Sequence, residues 1–208
     1  MNFFVLYSLN MSHLKNILIV GLLLSFNLAF AQNDITPGVG VGKLKLGMTY
    51  EAVTALLGEP SVKTDIEKYK TTLAHNNYPL KKFAEFYRGF DFTLTYFDNK
   101  SDIPAFRLFF KSNKLSDINL SVTYSKEKIG KCKLNNTVVI GAKEDDAQKA
   151  LGNGAPYTII PLPDSQTYDW YYSKGIAYLV DTSTKPNTVS NVKIFAPFTA
   201  KEIEEIRK

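Results

Sequence analysis

Few side chains in this 208-residue sequence could perform catalysis or bind a metal. Beyond residue 31 it contains one histidine, His75, and one cysteine, Cys132. A metal site of the usual kind needs about three or four protein ligands, so the other ligands would have to be carboxylates. Asp145 and Asp146 are adjacent and do not share a helix face, and they suit the acidic first turn of a helix better. The sequence therefore predicts no metal site.

The motifs of common catalytic and nucleotide-binding sites are also missing from the sequence. It contains neither the Gly-x-Ser-x-Gly turn of many hydrolases nor the Gly-x-x-x-x-Gly-Lys loop that binds phosphates. We therefore predict no catalytic residue and no cofactor, and a binding protein rather than an enzyme. A hydrolase that uses carboxylates from distant positions stays open as an alternative, because such a site leaves no local motif.

The single cysteine allows two interpretations. Lys131 and Lys133 flank Cys132, and neighbouring cations can lower the pKa of a thiol and make it reactive. An unreactive thiol in a linker is the simpler alternative. With one cysteine the chain can form no internal disulfide, so packing must hold the fold.

The N-terminal segment has the features of an export signal. Residues 17–31 are almost entirely apolar, Lys15 precedes them, and Ala29-Phe30-Ala31 is a small-x-small cleavage site. The apolar run is shorter than the roughly 20 residues that span a bilayer. We predict a signal peptide at residues 1–31, with Met11 as a candidate true start. The mature protein would then be periplasmic or extracellular, without a transmembrane segment.

The charge balance says little about partners. The formal net charge is +5 at pH 7, and the sequence contains no long block of lysine or arginine. Such a small excess favours a protein partner in the envelope or outside the cell over nucleic acid.

Residues 47–60, Gly-Met-Thr-Tyr-Glu-Ala-Val-Thr-Ala-Leu-Leu-Gly-Glu-Pro, predict a short helix. Thr49 is a suitable N-cap, Gly58 can end the helix, and Pro60 prevents its continuation. Three apolar residues share one face of this helix: Val53, Leu56 and Leu57. Two or three turns are not stable alone in water, so the helix must pack on another element.

A second copy of this motif lies at residues 141–156. Gly47 and Gly58 have counterparts 94 positions later, Gly141 and Gly152, and Leu57 corresponds to Leu151. A repeat this long with few identities indicates duplicated domains rather than a solenoid.

Strands follow each helix motif. Residues 90–97 alternate between Phe90, Phe92, Leu94 and Tyr96 on one face and mostly polar residues on the other. Arg88-Gly89 and Lys174-Gly175 are hairpin signals, and the closing strands near residues 114–120 and 188–194 match at an offset of 74. Thr199 begins a final helix with early acids and late bases.

These elements predict an α+β fold. It would have two tandem helix–loop–antiparallel-sheet units, with the helices packed on one sheet face. The first unit would be residues 32–125, the linker residues 126–136, and the second unit residues 137–208 with the C-terminal helix.

The opposite, polar sheet face is the candidate binding surface. Tyr168, Trp170 and Tyr172 must point one way along their strand, and Asp169 and Tyr171 the other. We assign the first set to the core, and tyrosine is a favoured binding anchor on an exposed face. An ordinary solvated face is the alternative. The predicted partner-binding residues are Thr93, Thr95, Asn119, Ser121, Thr123 and Tyr171.

The order of motifs resembles a known family. A Leu-Gly-Met-Thr helix ending in Leu-Leu-Gly-x-Pro, an aromatic hairpin and a Lys-Leu-Ser-x-Ile-x-Leu strand at residues 114–120 are similar to the BamE-type (SmpA/OmlA) and β-lactamase-inhibitor-protein-like (BLIP-like) folds. The resemblance covers the chain after residue 31 as two tandem units, which favours the inhibitor-like architecture. This sequence lacks the cysteine pairs of the inhibitor and the lipid-anchoring cysteine of the assembly factor.

The resemblance implies a function as well as a fold. In the inhibitor-like architecture a concave sheet face binds protein partners. We therefore expect an exported, non-enzymatic protein-binding module of the bacterial envelope or secretome. An accessory factor for outer-membrane assembly is an alternative with the same resemblance.

Overall fold

Eight antiparallel strands form the main sheet of the protein, which we describe from a computed structural model. The structure describes residues 34–75, 89–97, 104–121, 132–152, 154–159 and 166–206. These residues all belong to one compact unit, residues 33–208. Within them, no helix has the length and apolar character needed to cross a membrane. The predicted signal peptide at residues 1–31, with the candidate start Met11, lies outside the described residues.

The helices are short and the strands account for most of the regular structure. The helices are α1 (Tyr50–Leu57), α2 (Ile66–His75), α3 (Glu144–Leu151) and α4 (Ala200–Ile206). The main-sheet strands are β4 (Val62–Asp65), β5 (Phe92–Phe97), β6 (Pro104–Lys111), β7 (Lys114–Ser121), β10 (Tyr157–Ile159), β11 (Gln166–Tyr171), β12 (Ile176–Asp181) and β13 (Thr188–Phe195). Five two-residue strands form two small sheets: β1 (Ile35–Thr36), β2 (Gly40–Val41), β3 (Leu44–Lys45), β8 (Lys133–Leu134) and β9 (Thr137–Val138).

The strand order of the main sheet corrects the predicted fold class. The order is β10-β11-β12-β13-β7-β6-β5-β4, so strands from both halves of the chain belong to one continuous sheet. The halves join where Ile118 of β7 lies opposite Ile194 of β13. The α+β prediction of two tandem helix–sheet units is therefore wrong, and the protein is mainly β. Left apart, β7 and β13 would each be an exposed apolar edge, which proteins avoid by pairing.

One core covers the first face of this sheet, from β5 to β11. The predicted alternation is correct for most positions, because Phe92, Leu94, Ile118 and Ile194 all contact this core. Helices α1 and α3 pack on the same face through Val53 and Ala147, which are fully buried. Phe90 is the exception to the predicted alternation, because it belongs to a separate cluster on the second face.

Helices lie on both faces of the sheet, which corrects the prediction that they share one. On the second face, Ile66 at the start of α2 packs with Phe90 and Phe109. At the other end of this face, Ile203 and Ile206 of α4 pack against Phe195 and its neighbours. The second face needs this cover because β6, β11, β12 and β13 place aromatic and aliphatic side chains on it.

The two helix motifs match in their backbone hydrogen bonds, although they lie on one sheet. The Gly47 amide donates to the Leu115 carbonyl at 2.7 Å, and the Leu115 amide donates to Met48. The Gly141 amide likewise donates to the Val189 carbonyl at 2.8 Å. Gly141 lies 94 positions after Gly47, and Val189 lies 74 positions after Leu115, so the equivalent residues follow the two sequence offsets. The division at residues 32–125, 126–136 and 137–208 stays a prediction, and residues 126–131 lie outside the described part.

Truncation of Leu151 tests how firmly α3 is docked. Leu151 is buried at 8 % exposure at the end of the helix, whereas Leu57 is only partly buried at the matching place in α1. We expect Leu151→Ala to reduce the free energy of unfolding by about 2–3 kcal/mol, and Leu57→Ala by about 1 kcal/mol. Urea unfolding of both variants checks the order. Equal losses would show that α3 is docked no more firmly than α1.

Candidate functional site

The middle of the second sheet face carries a group of half-buried polar and aromatic side chains. We call it the central strip: Arg107, Asn119, Asn191, Lys193, Tyr168 and Trp170. The sheet register places Asn119 opposite both Arg107 and Lys193 on the neighbouring strands. Asn191 lies opposite Leu179, and Leu179 opposite Tyr168. The central strip therefore runs across five strands, β6, β7, β13, β12 and β11, between the clusters under α2 and α4.

A nearly buried ion pair lies beside the centre of this strip. The Lys193 Nζ atom is 2.9 Å from the Asp117 Oδ2 atom, and the two side chains are 13 % and 11 % exposed. The Ser116 hydroxyl also donates to Asp117, at 3.2 Å. An ion pair at this depth persists because each charge compensates the other. It fixes the position of a cation on the sheet face.

Aromatic rings surround the Lys193 ammonium. Its Nζ atom lies 5.2 Å from the ring centroid of Phe109, 5.4 Å from that of Trp170 and 5.9 Å from that of Phe90. Each distance is within the range of an attractive cation–π contact. Because Phe90 and Phe109 belong to the cluster under α2, and Trp170 to the one under α4, Lys193 connects the two clusters.

Trp170 has an apolar environment and an unused polar atom. Its ring stacks on Tyr172 with centroids 5.4 Å apart and also contacts Phe195. The indole Nε1 atom is buried, and no hydrogen-bond partner for it is found among the described residues. An indole N–H usually finds an acceptor when it is buried, so this unpaired donor is unusual.

Burial and charge both act on Tyr168. Burial raises the pKa of the Tyr168 hydroxyl to about 12, and the positive charge of Arg107 partly opposes the rise. The two residues lie on β11 and β6 of the same sheet face, and the charge of Arg107 acts on Tyr168 across the strands between them. The central strip is thus one electrostatic neighbourhood.

The structure divides the six predicted binding residues. Thr93, Thr95 and Ser121 lie on the second face but are buried, at 3 %, 5 % and 8 % exposure. Asn119 is half-buried in the central strip. Thr123 lies outside the described residues. Whether these residues contact a partner stays a prediction, but the three buried ones do not form an exposed surface.

Tyr171 is placed on the wrong face by the prediction. It is buried in the core of the first face, where its ring is 5.7 Å from that of Tyr178. The other set on its strand, Tyr168 and Trp170, lies on the second face instead. The prediction failed because it assigned three aromatic residues to the main core, whereas the second face has its own cluster under α4.

The sequence interpretation missed the charged members of the site. On β13, Asn191 and Lys193 alternate with apolar residues. On β6, Arg107 is the only charged residue among residues 104–110. That alternation was a usable signal for the face of Lys193. The pairing of β7 with β13 was needed to bring Lys193 to Asp117, and no local pattern encodes it.

Two carboxylates meet on the first face, away from the central strip. All four of their oxygens accept hydrogen bonds. Gln148 donates to Glu144 at 3.0 Å and to Asp169 at 3.4 Å, Asn187 donates to Glu144 at 3.0 Å, and Thr158 donates to Asp169 at 2.8 Å. Burial, and then the neighbouring Asp169, raise the pKa of Glu144. The described residues contain no group of three histidine, cysteine, aspartate or glutamate side chains placed to hold a metal ion.

The raised pKa of Glu144 predicts a pH-dependent stability. Because the folded state favours the protonated carboxyl, Glu144 contributes stability that is present below its unfolded pKa of about 4.5 and is lost as the pH rises through its folded value. We expect the stability of the wild type relative to Glu144→Gln to fall between pH 4 and pH 7.5. Urea unfolding of both proteins at the two pH values measures it. A constant or rising difference would contradict the interpretation.

Cys132 is an unreactive thiol in this structure. It is buried at 6 % exposure within the main core, and burial raises the pKa of the thiol to about 11. The thiol therefore stays protonated at neutral pH. This matches the unreactive thiol of the simpler interpretation but not its place in a linker, because Cys132 belongs to the main core.

One surface pocket lies apart from both sites. Its volume is about 480 Å³, and it opens at the C-terminal end of α3. Lys174 lines it and donates to the Leu151 carbonyl at 3.0 Å. The Lys174 ammonium thus already binds the end of α3, as basic side chains often do.

Comparisons with known proteins give little information about this chain. No protein-family model and no curated protein matches it. Among solved structures it is similar to a cysteine-rich secretory protein from Staphylococcus aureus, with 13 % identity and a TM-score of 0.42. The match covers 84 % of this chain and 51 % of the other, so the chain spans about half the length of that protein.

Proposed function

We propose that this protein is an exported, non-enzymatic binding module of the bacterial envelope or secretome, and that it binds a protein partner at the central strip. The observation that carries the proposal is the composition of the strip. Tyr168, Trp170 and Arg107 are of the three residue types that dominate binding energy in protein interfaces. All three are half-buried on the same sheet face, where the rings of Tyr168 and Trp170 are 5.7 Å apart and Arg107 lies on β6.

The rigidity of the strip supports the same function. The Lys193–Asp117 pair and the rings around it hold the middle of the face, and the clusters under α2 and α4 hold its two ends. A surface that is ordered before binding loses less conformational entropy in the complex. Such a surface suits recognition of a folded protein.

The sequence resemblance supports a binding role independently of this geometry. The motifs at residues 47–60 and 114–120 are similar to those of the BLIP-like and BamE-type folds, which bind proteins. The apolar run and cleavage site at residues 17–31 support export. Both inferences stay proposals.

Capture of the partner tests the proposed function. Tagged wild type is used to recover proteins from the envelope and culture medium of the source bacterium. Asn191→Arg adds a large charged side chain in the strip, and Ala155→Arg adds the same charge at an exposed position outside it. We expect the same partner with wild type and Ala155→Arg, and at least about tenfold less with Asn191→Arg.

Circular dichroism and urea unfolding confirm that all three proteins are folded before the comparison. Failure to recover any specific partner with wild type would contradict the proposal, as would equal recovery with Asn191→Arg. A partner that belongs to the outer-membrane assembly machinery would favour the accessory-factor alternative.

The hydrolase alternative has less support. Among the described residues its candidate is the Glu144–Asp169 pair, where two carboxylates lie together and the pKa of Glu144 is raised. Side chains of the protein already donate to all four oxygens of this pair. A general acid or base needs access to a substrate proton, and these hydrogen bonds would have to break first.

A further inference from the structure

Arg107 is a cation without a counter-charge in the central strip. It is half-buried on β6, between Thr95 and Asn119 on the neighbouring strands. Among the described residues the ion pairs are Lys70–Glu67 and Lys193–Asp117, so no carboxylate there pairs with Arg107. A half-buried guanidinium loses part of its hydration and gains most from a charged acceptor.

The side chain across the strand from Arg107 is a suitable second donor. The Asn119 Oδ1 atom accepts from the Asn191 Nδ2 atom at 3.5 Å, and no acceptor for the Asn119 Nδ2 group is found among the described residues. Arg107 and Asn119 lie directly opposite each other in the register of β6 and β7. Cross-strand neighbours of this kind have Cβ atoms roughly 5 Å apart. Together they present donors for two oxygens of one group.

The nearby acidic residue is not available to Arg107. Asp117 lies on the same face but is held by Lys193 at 2.9 Å and by Ser116 at 3.2 Å. Because the charges of Asp117 and Lys193 cancel each other, the central strip has one net positive charge, on Arg107. One positive charge complements a carboxylate, whereas a phosphate group carries about −1.5 to −2.

We propose that Arg107 and Asn119 form a carboxylate-binding site, which receives one aspartate or glutamate side chain of the protein partner. The proposal rests on the function proposed above and specifies the chemistry of the partner. Arginine suits this role because its planar fork binds both carboxylate oxygens. Tyr168 and Trp170 lie on the same sheet face as this pair and are of the residue types that anchor interface centres.

A peptide titration tests the site without the partner. Three probes are compared by nuclear magnetic resonance at fixed ionic strength: a terminally blocked glycine–glutamate peptide, the matched glycine–glutamine peptide, and inorganic phosphate. We expect the glutamate peptide to shift the side-chain signals of Arg107 and Asn119, and the glutamine peptide to leave them unchanged. Arg107→Gln should weaken glutamate-peptide binding about tenfold or more.

Lys111→Gln is the matched control. Lys111 is an exposed cation on the same strand as Arg107, so its loss removes one charge but not the site. We expect it to change glutamate-peptide binding less than about twofold, since an exposed charge acts weakly through solvent. Equal weakening by both variants would show a general charge effect and would overturn the proposal.

The remaining outcomes also decide the question. Phosphate binding at least as tight as peptide binding would overturn the proposal in favour of a free-anion site. Concentration-dependent self-association that Arg107→Gln abolishes would assign the face to a second copy of this chain, and would also overturn it. Glutamate-peptide binding that depends on Arg107 would support the site even if envelope capture failed, so failure of this inference and failure of the proposed function can be distinguished.

Discussion

Replacement of Lys193 by methionine should lower the free energy of unfolding by about 3–5 kcal/mol. The change keeps the apolar stem of the side chain and removes the ammonium 2.9 Å from Asp117. Asp117 would then carry a charge at 11 % side-chain exposure, with the Ser116 hydroxyl as its remaining donor among the described contacts. The contacts of the ammonium with the rings of Phe109 and Trp170 would be lost too. Urea unfolding at neutral pH gives the value.

The Lys70–Glu67 pair on α2 is the control for this prediction. Its atoms are 3.7 Å apart and its side chains are 47 % and 80 % exposed, so Glu67→Gln should cost less than about 1 kcal/mol. The double variant Lys193→Met/Asp117→Leu removes both charges and should recover much of the loss. If Lys193→Met were as mild as Glu67→Gln, the pair would not hold the second face together.

Replacement of Gly175 by alanine should have an effect of similar or larger size. Gly175 has φ of 69° in the left-handed region after β11, and an added Cβ would lie 2.3 Å from the Phe195 carbonyl oxygen and 2.7 Å from the Gly38 Cα atom. Both contacts are with backbone, which a rotamer change cannot relieve. The Gly175 carbonyl also accepts from the amides of Gly38 and Phe195, so a shift would disturb two hydrogen bonds. We expect a loss above about 4 kcal/mol.

Gly58→Ala separates backbone strain from steric contact. Gly58 ends α1 with φ of 81°, and an added Cβ would have no atom within 4 Å. That variant should cost only about 1–3 kcal/mol, from the backbone conformation alone. Thermal and urea unfolding of the two variants can be compared directly. An equal loss in both would mean that the close approach of Gly38, Gly175 and Phe195 is not rigid.

Local patterns in the sequence predicted much of the secondary structure. The Thr49 cap is observed, since its side chain accepts from the Ala52 amide at 3.3 Å. The final helix begins at Ala200, after Thr199 and Glu202 exchange hydrogen bonds at its start. These features depend on residues three or four positions apart, so sequence alone contains the necessary information.

The arrangement of the strands could not be predicted in the same way. The joining of β7 to β13 pairs residues 70 or more positions apart, such as Ile118 and Ile194. Each strand could occupy an edge or a central position in the sheet, because its alternation of apolar and polar residues is the same in both positions. The choice depends on the whole sheet, and the expectation of separate units was wrong for that reason.

The site was harder to predict than the elements that carry it. Alternation on β11 separates Trp170 from Tyr171 but does not show which side faces the main core. That depends on α4, which covers part of the second face with Ile203 and Ile206. Three of the predicted binding residues, Thr93, Thr95 and Ser121, lie on the predicted sheet face but are buried. The charged residues of the strip become neighbours only through long-range pairing.

Site-specific photocrosslinking is the most direct test of a protein-binding role for the central strip. A photoreactive amino acid is placed at Asn191 in the strip or at Lys149, an exposed position on α3 over the opposite face, and intact source cells are irradiated. We predict one defined crosslinked species from position 191, absent when Arg107 is changed to glutamine, and none from position 149. Crosslinking from position 149 but not from position 191 would contradict the account.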